Sequence, residues 1–438
     1  MGTPATIAVI GTGYVGLTTG ACLAHLGHRV VCADVDTRKI ERLGRGEIPI
    51  VEEGLAEIVA DAVAAGRLEF VVGSVNASER ADVVFLCVPT PQGDDGSADL
   101  SYIQAAAAEI GPTLRPDAIV VNKSTVPVGS TRVVERVVQR DDVAVVSNPE
   151  FLREGTAVHD FLHPDRVVIG ANDRSAAERV AELYASLDTE VILTDPASAE
   201  TIKYAANGFL AMKISFVNAI AAMCEAVGAD VADVVHGIGT DSRIGPAFLR
   251  PGPGWGGSCF PKDSRALVKI AQEHGYNFTM MRGVIDVNDE QRSRMVHKVV
   301  HALGGPDRHA LHGATIGALG LTFKAGTDDL RDSPALAVIA ELRRSGARIR
   351  AYDPTTVPPL EPHRDAMLDG IELCGSAIEA VTRADVTIVL TEWPEFTELD
   401  LAKTAEVMAG RTVVDTRNPL DPGRAAEAGL AYDGVGRR

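Results

Sequence analysis

Residues 6–34 read Thr6-Ile-Ala-Val-Ile10, Gly11-Thr-Gly13-Tyr-Val-Gly16, a helical stretch to about Leu26, Gly27, and Arg29-Val-Val-Cys-Ala33 ending at Asp34. A short apolar run, a glycine-rich turn, a helix stopped by glycine and a second apolar run make a βαβ unit with a right-handed crossover. Gly11 permits the tight turn, Gly13 lets the backbone approach a pyrophosphate, and Gly16 lets helix and strand pack closely. The helix start offers free N–H groups and a positive dipole end to phosphates. Asp34 ends the second strand, where a carboxylate accepts the ribose hydroxyls of adenosine. Val35 and Asp36 follow it rather than an arginine, and two carboxylates repel a 2′-phosphate, so the pattern favours NAD over NADP. A glycine turn without a ligand is the weaker reading once strand, helix and Asp34 stand together.

The same rhythm continues outward from this unit. Strand-like runs at 81–88, 118–121 and 143–146 alternate with helical patterns, which implies a parallel sheet covered on both faces over residues 1 to about 200. From 197 to about 303 the strand signals vanish. Residues 199–227 carry small and apolar side chains at helical spacing with no internal proline. A helix of that length, on the order of 40 Å at 1.5 Å per residue, needs cover on several sides, as a core element and as a dimer interface. Strand-like runs resume at 314–319, 348–352, 386–390 and 412–415, with a helix at 334–345 between them. The expected fold class is α/β: two Rossmann-like doubly wound domains joined by a central all-helical segment with a long helix. The expected boundaries are 1–198, 199–305 and 306–438.

Composition excludes several function classes. The 438 residues include 42 Lys and Arg against 60 Asp and Glu, a formal charge of −18. Such a chain repels polyanions, so neither nucleic acid nor an anionic membrane is an expected partner. An apolar fraction of 46% with 23% charged residues is that of a folded protein. The longest apolar stretch, 209–224, is interrupted by Lys213, Ser215 and Asn218 and reads as a buried helix rather than a membrane span. No charged and apolar leader opens the chain, so a cytoplasmic location is expected. Six cysteines without a CxxC pair fit neither a disulfide framework nor zinc, and no metal site is expected.

One cysteine stands apart, in Gly254-Trp-Gly-Gly-Ser-Cys259-Phe-Pro-Lys262-Asp263. Glycines suit a loop that a substrate approaches, a nearby cation favours the reactive thiolate, and Asp263 is placed to orient water or a base. On spacing alone a nucleophile and an inert thiol in a glycine-rich turn are evenly matched. Lys123-Ser-Thr125-Val-Pro-Val-Gly129 and Asn148-Pro-Glu150-Phe-Leu-Arg-Glu154-Gly155 follow strands, where doubly wound sheets bind ligands. Lys203 and Asn207 share one helix face; alone, such a lysine more often reaches for solvent than faces a site. Phe323-Lys324, Arg331, Arg417 and Asn418 follow strands of the last domain and suit a diphosphate, or ordinary solvated surface.

Together these segments resemble the UDP-glucose/GDP-mannose dehydrogenase family nearly end to end. The resemblance lies in Gly11-Thr-Gly-Tyr-Val-Gly-Leu17, Val88-Pro-Thr90, Lys123–Gly129, Asn148–Gly155, Gly256–Asp263, Phe323-Lys324 through Thr327–Arg331, and Tyr352-Asp-Pro354. It implies a four-electron oxidation of a sugar C6 alcohol to a carboxylate, with two NAD⁺ reduced, through a thiohemiacetal and then a thioester on Cys259. UDP-glucose oxidised to UDP-glucuronate is the reading toward which Ser258-Cys-Phe-Pro-Lys262 leans. GDP-mannose or another nucleotide sugar is the alternative, and Trp255 stands where the family usually has Phe or Tyr. Lys203 and Asn207 are implied to stabilise oxyanions, Asp263 to assist proton transfer and hydrolysis, and Thr125 and Glu150 to hold the water. Implied NAD contacts are Gly11, Gly13, Tyr14, Val15, Gly16, Asp34, Lys39, Thr90, Thr125, Lys262 and Arg331. Implied sugar-nucleotide contacts are Glu150, Phe151, Leu152, Arg153, Glu154, Lys203, Asn207, Phe248, Leu249, Arg250, Gly252, Gly256, Lys324 and Arg417. Arg243 resembles an arginine that reaches the partner subunit's site, so a homodimer or higher homo-oligomer is implied. A single-step hydroxyacid dehydrogenase would need neither Cys259 nor a nucleotide-binding last domain, and a non-enzymatic NAD sensor would lack part of the catalytic set.

Overall fold

In the computed structural model, residues 4–93, 96–356 and 362–437 are described, and the chain divides into two units. One is Met1–Ala206 with Arg265–Tyr276; the other is Asn207–Ser264 with Asn277–Arg438.

The first unit is built on an eight-stranded sheet. Its strands are β1 (Thr6–Ile10), β2 (Arg29–Asp34), β3 (Leu68–Val72), β4 (Val83–Leu86), β5 (Ile119–Asn122), β6 (Ala144–Ser147), β7 (Arg166–Ala171) and β8 (Glu190–Thr194), in the order β3-β2-β1-β4-β5-β6-β7-β8. The central strands β1, β4 and β5 are buried on both faces, as expected of a sheet covered by helices, and successive residues alternate between the apolar clusters on its two sides. One pairing departs from the all-parallel expectation, because β6 and β7 are antiparallel. The chain leaves β6 at Ser147 and re-enters the sheet at Arg166 from the same end. Residues 148–165 therefore make no crossover and stay at the carboxyl end of β6.

The second unit repeats the plan with six parallel strands: β9 (Thr315–Leu319), β10 (Arg348–Tyr352), β11 (Glu372–Leu373), β12 (Val386–Val389), β13 (Thr412–Asp415) and β14 (Ala431–Gly434), ordered β11-β10-β9-β12-β13-β14. The turn after the first strand is repeated as well. Gly11 N–H donates to Ala33 O at 2.8 Å with φ of +100°, and Gly320 N–H donates to Tyr352 O at 2.8 Å with φ of +94°.

In the chain between β8 and β9 there are helices and no strand. The longest, Pro196–Val227, begins three residues before the expected start. By length and composition it is apolar enough to cross a membrane. Yet Glu200, Lys203, Asn207, Ser215 and Asn218 are buried on it, each hydrogen-bonded, which is the pattern of a core helix. It is not buried all round, as the 209–224 stretch suggests it should be: Phe209, Phe216 and Met223 are 58%, 52% and 52% exposed at seven-residue steps.

Candidate active site

The glycine turn fits a dinucleotide in its details. A Cβ at Gly11 would lie 2.6 Å from Cys87 O, and one at Gly16 would lie 1.9 Å from Gly11 O, so both positions are closed to any other residue. At Gly13, the cap of helix Tyr14–His25, a Cβ would meet nothing within 4 Å. Tight packing below and open space at the helix start are what a pyrophosphate requires. Asp34 Oδ2 accepts from Thr12 N at 3.0 Å, Thr12 Oγ at 2.6 Å and Lys39 Nζ at 3.1 Å. Burial raises its pKa, but the Thr12 hydroxyl, the backbone amides and Lys39 outweigh that and bring it down to about 2. Asp36 caps the next helix through Arg38 N and Lys39 N, which sets Lys39 beside Asp34. Thr90 Oγ donates to Thr125 O at 2.9 Å, joining the segments after β4 and β5.

At the carboxyl end of the same sheet, Lys203 Nζ and Glu150 Oε1 form a 2.9 Å ion pair whose side chains are each 4% exposed. Glu150 Oε2 accepts from Leu152 N at 2.7 Å, and the ammonium stands 5.4 Å from the Phe151 ring centroid. Burial pushes the Glu150 pKa up, yet the charge and hydrogen bond of Lys203 hold it below the usual value. The Arg166 guanidinium lies 3.8 Å from the same ring centroid, and Arg153 forks on Asp160. Glu154 lies half-buried in the same segment. Two groups to which the sequence reading gives no role of their own organise this region. Lys123 Nζ and Tyr184 Oη both donate to Asn148 Oδ1, at 3.1 and 2.7 Å, and burial lowers the Lys123 pKa to about 8. Glu52 accepts from Gly155 N and Ala157 N at 2.7 and 2.6 Å, clamping the end of the segment.

The second unit holds the thiol. Cys22, Cys32, Cys87, Cys224 and Cys374 are buried, whereas Cys259 is half-buried. Ser258 Oγ stands 3.6 Å from Cys259 Sγ, and helix Phe260–Glu273 begins at the next residue. Four residues on, Asp263 is buried with its two oxygens in separate hands: Asn207 Nδ2 donates to Oδ2 at 2.6 Å and Lys262 Nζ to Oδ1 at 2.7 Å. Phe248 adopts a φ of +63° and its ring pairs with Phe260 at 6.3 Å; next to it in the chain Leu249 is buried and Arg250 exposed. A Cβ at Gly256 would lie 2.1 Å from Asp332 O, so that glycine is required by packing. Lys324 lies 5.6 Å from the Phe323 ring centroid, and Arg331 forks on Asp329. Arg417 acts as a strut as well as a cation: Nε donates to Leu390 O and Nη2 to Phe323 O, with Glu392 at 3.1 Å. Arg243 is 86% exposed and forks on Asp241.

Family models of the UDP-glucose/GDP-mannose dehydrogenase family match residues 5–188 (NAD binding domain), 197–290 (central domain) and 317–422 (UDP binding domain). The chain belongs to this family. A UDP-glucose 6-dehydrogenase of Rhizobium meliloti is 47% identical over 98% of this chain and 99% of its own, and the UDP-glucose 6-dehydrogenase TuaD of Bacillus subtilis is 45% identical over 98% and 93%. Among solved structures, a UDP-glucose dehydrogenase from Pyrobaculum islandicum superposes with a TM-score of 0.90 at 37% identity, covering 100% of this chain and 99% of that one. Membership makes the chain an NAD-dependent oxidoreductase acting on a nucleotide sugar, with the Gly11–Gly16 turn inside the NAD-binding match and Arg331 and Arg417 inside the UDP-binding match.

Proposed function

We propose that this chain is a UDP-glucose 6-dehydrogenase, converting UDP-glucose to UDP-glucuronate with Cys259 as its nucleophile. The observation that carries the reading is Cys259 itself: it alone among six cysteines is not buried, and it opens a helix that sets the doubly hydrogen-bonded Asp263 four residues away. Gly11, Gly13, Tyr14, Val15, Gly16, Asp34, Lys39, Thr90, Thr125, Lys262 and Arg331 are assigned to the cofactor. Bound NAD⁺ supplies a two-electron acceptor, used twice per sugar.

The thiolate of Cys259 adds to the aldehyde-level carbon, so the intermediate stays covalently held until the second oxidation leaves a thioester. Lys203 and Asn207, one helical turn apart, stabilise the oxygen that carries negative charge. Asp263 takes the proton from the water that cleaves the thioester, with Thr125 and Glu150 orienting that water. The net change consumes one alcohol, one water and two NAD⁺, and yields one carboxylate, two NADH and three protons. Phe151–Glu154, Phe248–Arg250, Gly252, Gly256, Lys324 and Arg417 are assigned to the sugar nucleotide.

The exposed row Phe209, Phe216 and Met223 supports a homodimer along the long helix, with Arg243 reaching the partner subunit. Residues 1–198, 199–305 and 306–438 then serve as cofactor-binding, dimerising and UDP-sugar-binding parts of a cytoplasmic enzyme. Initial rates with UDP-glucose and GDP-mannose at equal concentration test the substrate. Turnover of UDP-glucose at least about 100-fold faster is expected, a ratio within reach of a buried polar pocket. Turnover of GDP-mannose alone would replace the substrate and leave the chemistry intact.

A further inference from the structure

The segment leading to Cys259 is held by buried side chains from helices Pro196–Val227 and Thr279–Ala302, none of which has a part in the chemistry above. Asn288 Oδ1 accepts from Trp255 N at 2.7 Å and its Nδ2 donates to Trp255 O at 3.1 Å, so one carboxamide closes on both backbone groups of one residue. Gly252 is gripped in the same way by two residues. Its N–H donates to Asn218 Oδ1 at 2.8 Å, and its carbonyl accepts from Gln291 Nε2 at 2.7 Å. The Trp255 indole donates to Ser215 Oγ at 2.9 Å, and Ser215 donates in turn to Val284 O at 2.8 Å. Between the two gripped residues lies Gly254, at φ of +120°, where a Cβ would stand 2.7 Å from Asn288 Oδ1. Asn288 reaches the backbone only because position 254 has no side chain.

A stretch with glycines at 252, 254, 256 and 257 has unusual conformational freedom to lose. Asn218, Asn288 and Gln291 are only 1–2% exposed, so their amides hold the loop in a place where water does not compete. A covalent step tolerates little error in the position of its nucleophile, and an ångström of misplacement can cost about 100-fold in rate. We propose that Asn288 and Gln291 are positioning residues that fix the Gly252–Trp255 backbone and thereby present the Cys259 thiol in one orientation. This rests on the reading of Cys259 as nucleophile.

The test compares the full-length enzyme with Gln291→Met, which keeps the side-chain length and removes the donor, and with Asn288→Asp, which keeps the acceptor and removes the donor. Four quantities are read: the thermal midpoint, amide exchange at Gly252 and Trp255, kcat and KM, and the alkylation rate of Cys259 by iodoacetamide. For Gln291→Met the midpoint shifts by less than about 5 °C. Exchange in the 252–255 segment speeds at least about tenfold, and kcat falls about 10- to 100-fold with KM for NAD unchanged. Alkylation stays within about twofold of wild type, because a small freely diffusing reagent needs no presentation of the thiol. Wild-type kcat in a variant whose loop exchanges faster would overturn the proposal. So would an alkylation rate that falls in step with kcat, or activity lost only in proportion to unfolded protein. Should wild type oxidise no nucleotide sugar, the functional reading fails on its own, and amide exchange still decides whether these side chains hold the loop. If Asn288→Asp fails to fold, the outcome rests on Gln291→Met alone.

Discussion

Asn207 and Asp263, 56 residues apart in the chain, meet at 2.6 Å, with the other oxygen of Asp263 on Lys262 at 2.7 Å. A buried carboxylate held by two donors is fixed in place for the proton transfer proposed for it. Replacing Asp263 by Asn keeps the shape and removes that charge. The expected result is a loss of kcat of about 100-fold or more, measured by steady-state NADH formation. Activity within a few-fold of wild type would remove Asp263 from the mechanism.

The Glu150–Lys203 pair gives a prediction about stability. Glu150→Gln leaves the Lys203 charge buried without its counter-ion, an expected cost of about 3–5 kcal/mol in urea unfolding. The sign with pH follows from the lowered pKa of Glu150. Its contribution is present above the ordinary carboxyl pKa and is lost as pH falls through the lower folded value. The gap between wild type and Glu150→Gln should therefore be steady from about pH 6 to 7 and close below about pH 4. An acid-independent gap would contradict the pairing.

Lys123 titrates in the opposite sense. Its pKa drops from 10.5 to about 8 on folding, so the unfolded chain holds the proton more tightly and stability rises with pH between those values. Wild type should gain about 3 kcal/mol relative to Lys123→Met between about pH 7 and pH 10.5, taking 1.36 kcal/mol per unit. Comparing the two proteins cancels the buried cysteines that do not act on Lys123; Cys87 does act on it and its titration shifts with the substitution. A constant difference would mean that burial does not lower the Lys123 pKa.

The proposed assignment of Asp34 to the cofactor makes it the residue that sets cofactor choice. With its pKa at about 2, the carboxylate stays charged at every pH at which the enzyme is assayed. Asp34→Ala should raise KM for NAD by about 10- to 100-fold, the equivalent of a hydrogen bond to a charged group, and do so equally from about pH 6 to 9. NADP accepted as readily as NAD by wild type would refute this assignment.

The row of Phe209, Phe216 and Met223 predicts an assembly state. Sedimentation should give a dimer for wild type, and Phe216→Glu should shift it toward monomer by at least about tenfold in Kd, since a buried charge facing an apolar surface is costly. A monomeric wild type would leave this exposed row unexplained.

How much of the molecule is legible in its sequence depends on whether the deciding residues are neighbours in the chain. The β1–turn–helix–β2 unit declares itself because strand, glycines and Asp34 lie within 29 consecutive positions, 6–34. The Cys259 block likewise carries its cation and carboxylate within four residues. Strand β3, Leu68-Glu-Phe-Val-Val72, escapes such a reading, because it sits at a sheet edge with charged and exposed positions that blur an apolar run. The antiparallel return of β7 depends on how residues 148–165 close back on the sheet, which no local pattern encodes. Asn218, Asn288 and Gln291 read as ordinary polar positions on helices. Their partners lie 33 to 39 residues away, and the one local hint is the run of glycines at 252, 254, 256 and 257, which needs something to hold it.

The most direct test of the covalent mechanism is the number of NADH molecules formed per UDP-glucose consumed to completion, in wild type and in Cys259→Ser. A covalently held double oxidation predicts two per sugar in wild type and, for the variant, overall turnover reduced by about 1,000-fold or more. One NADH per sugar, or two per sugar at an undiminished rate in the variant, would contradict it.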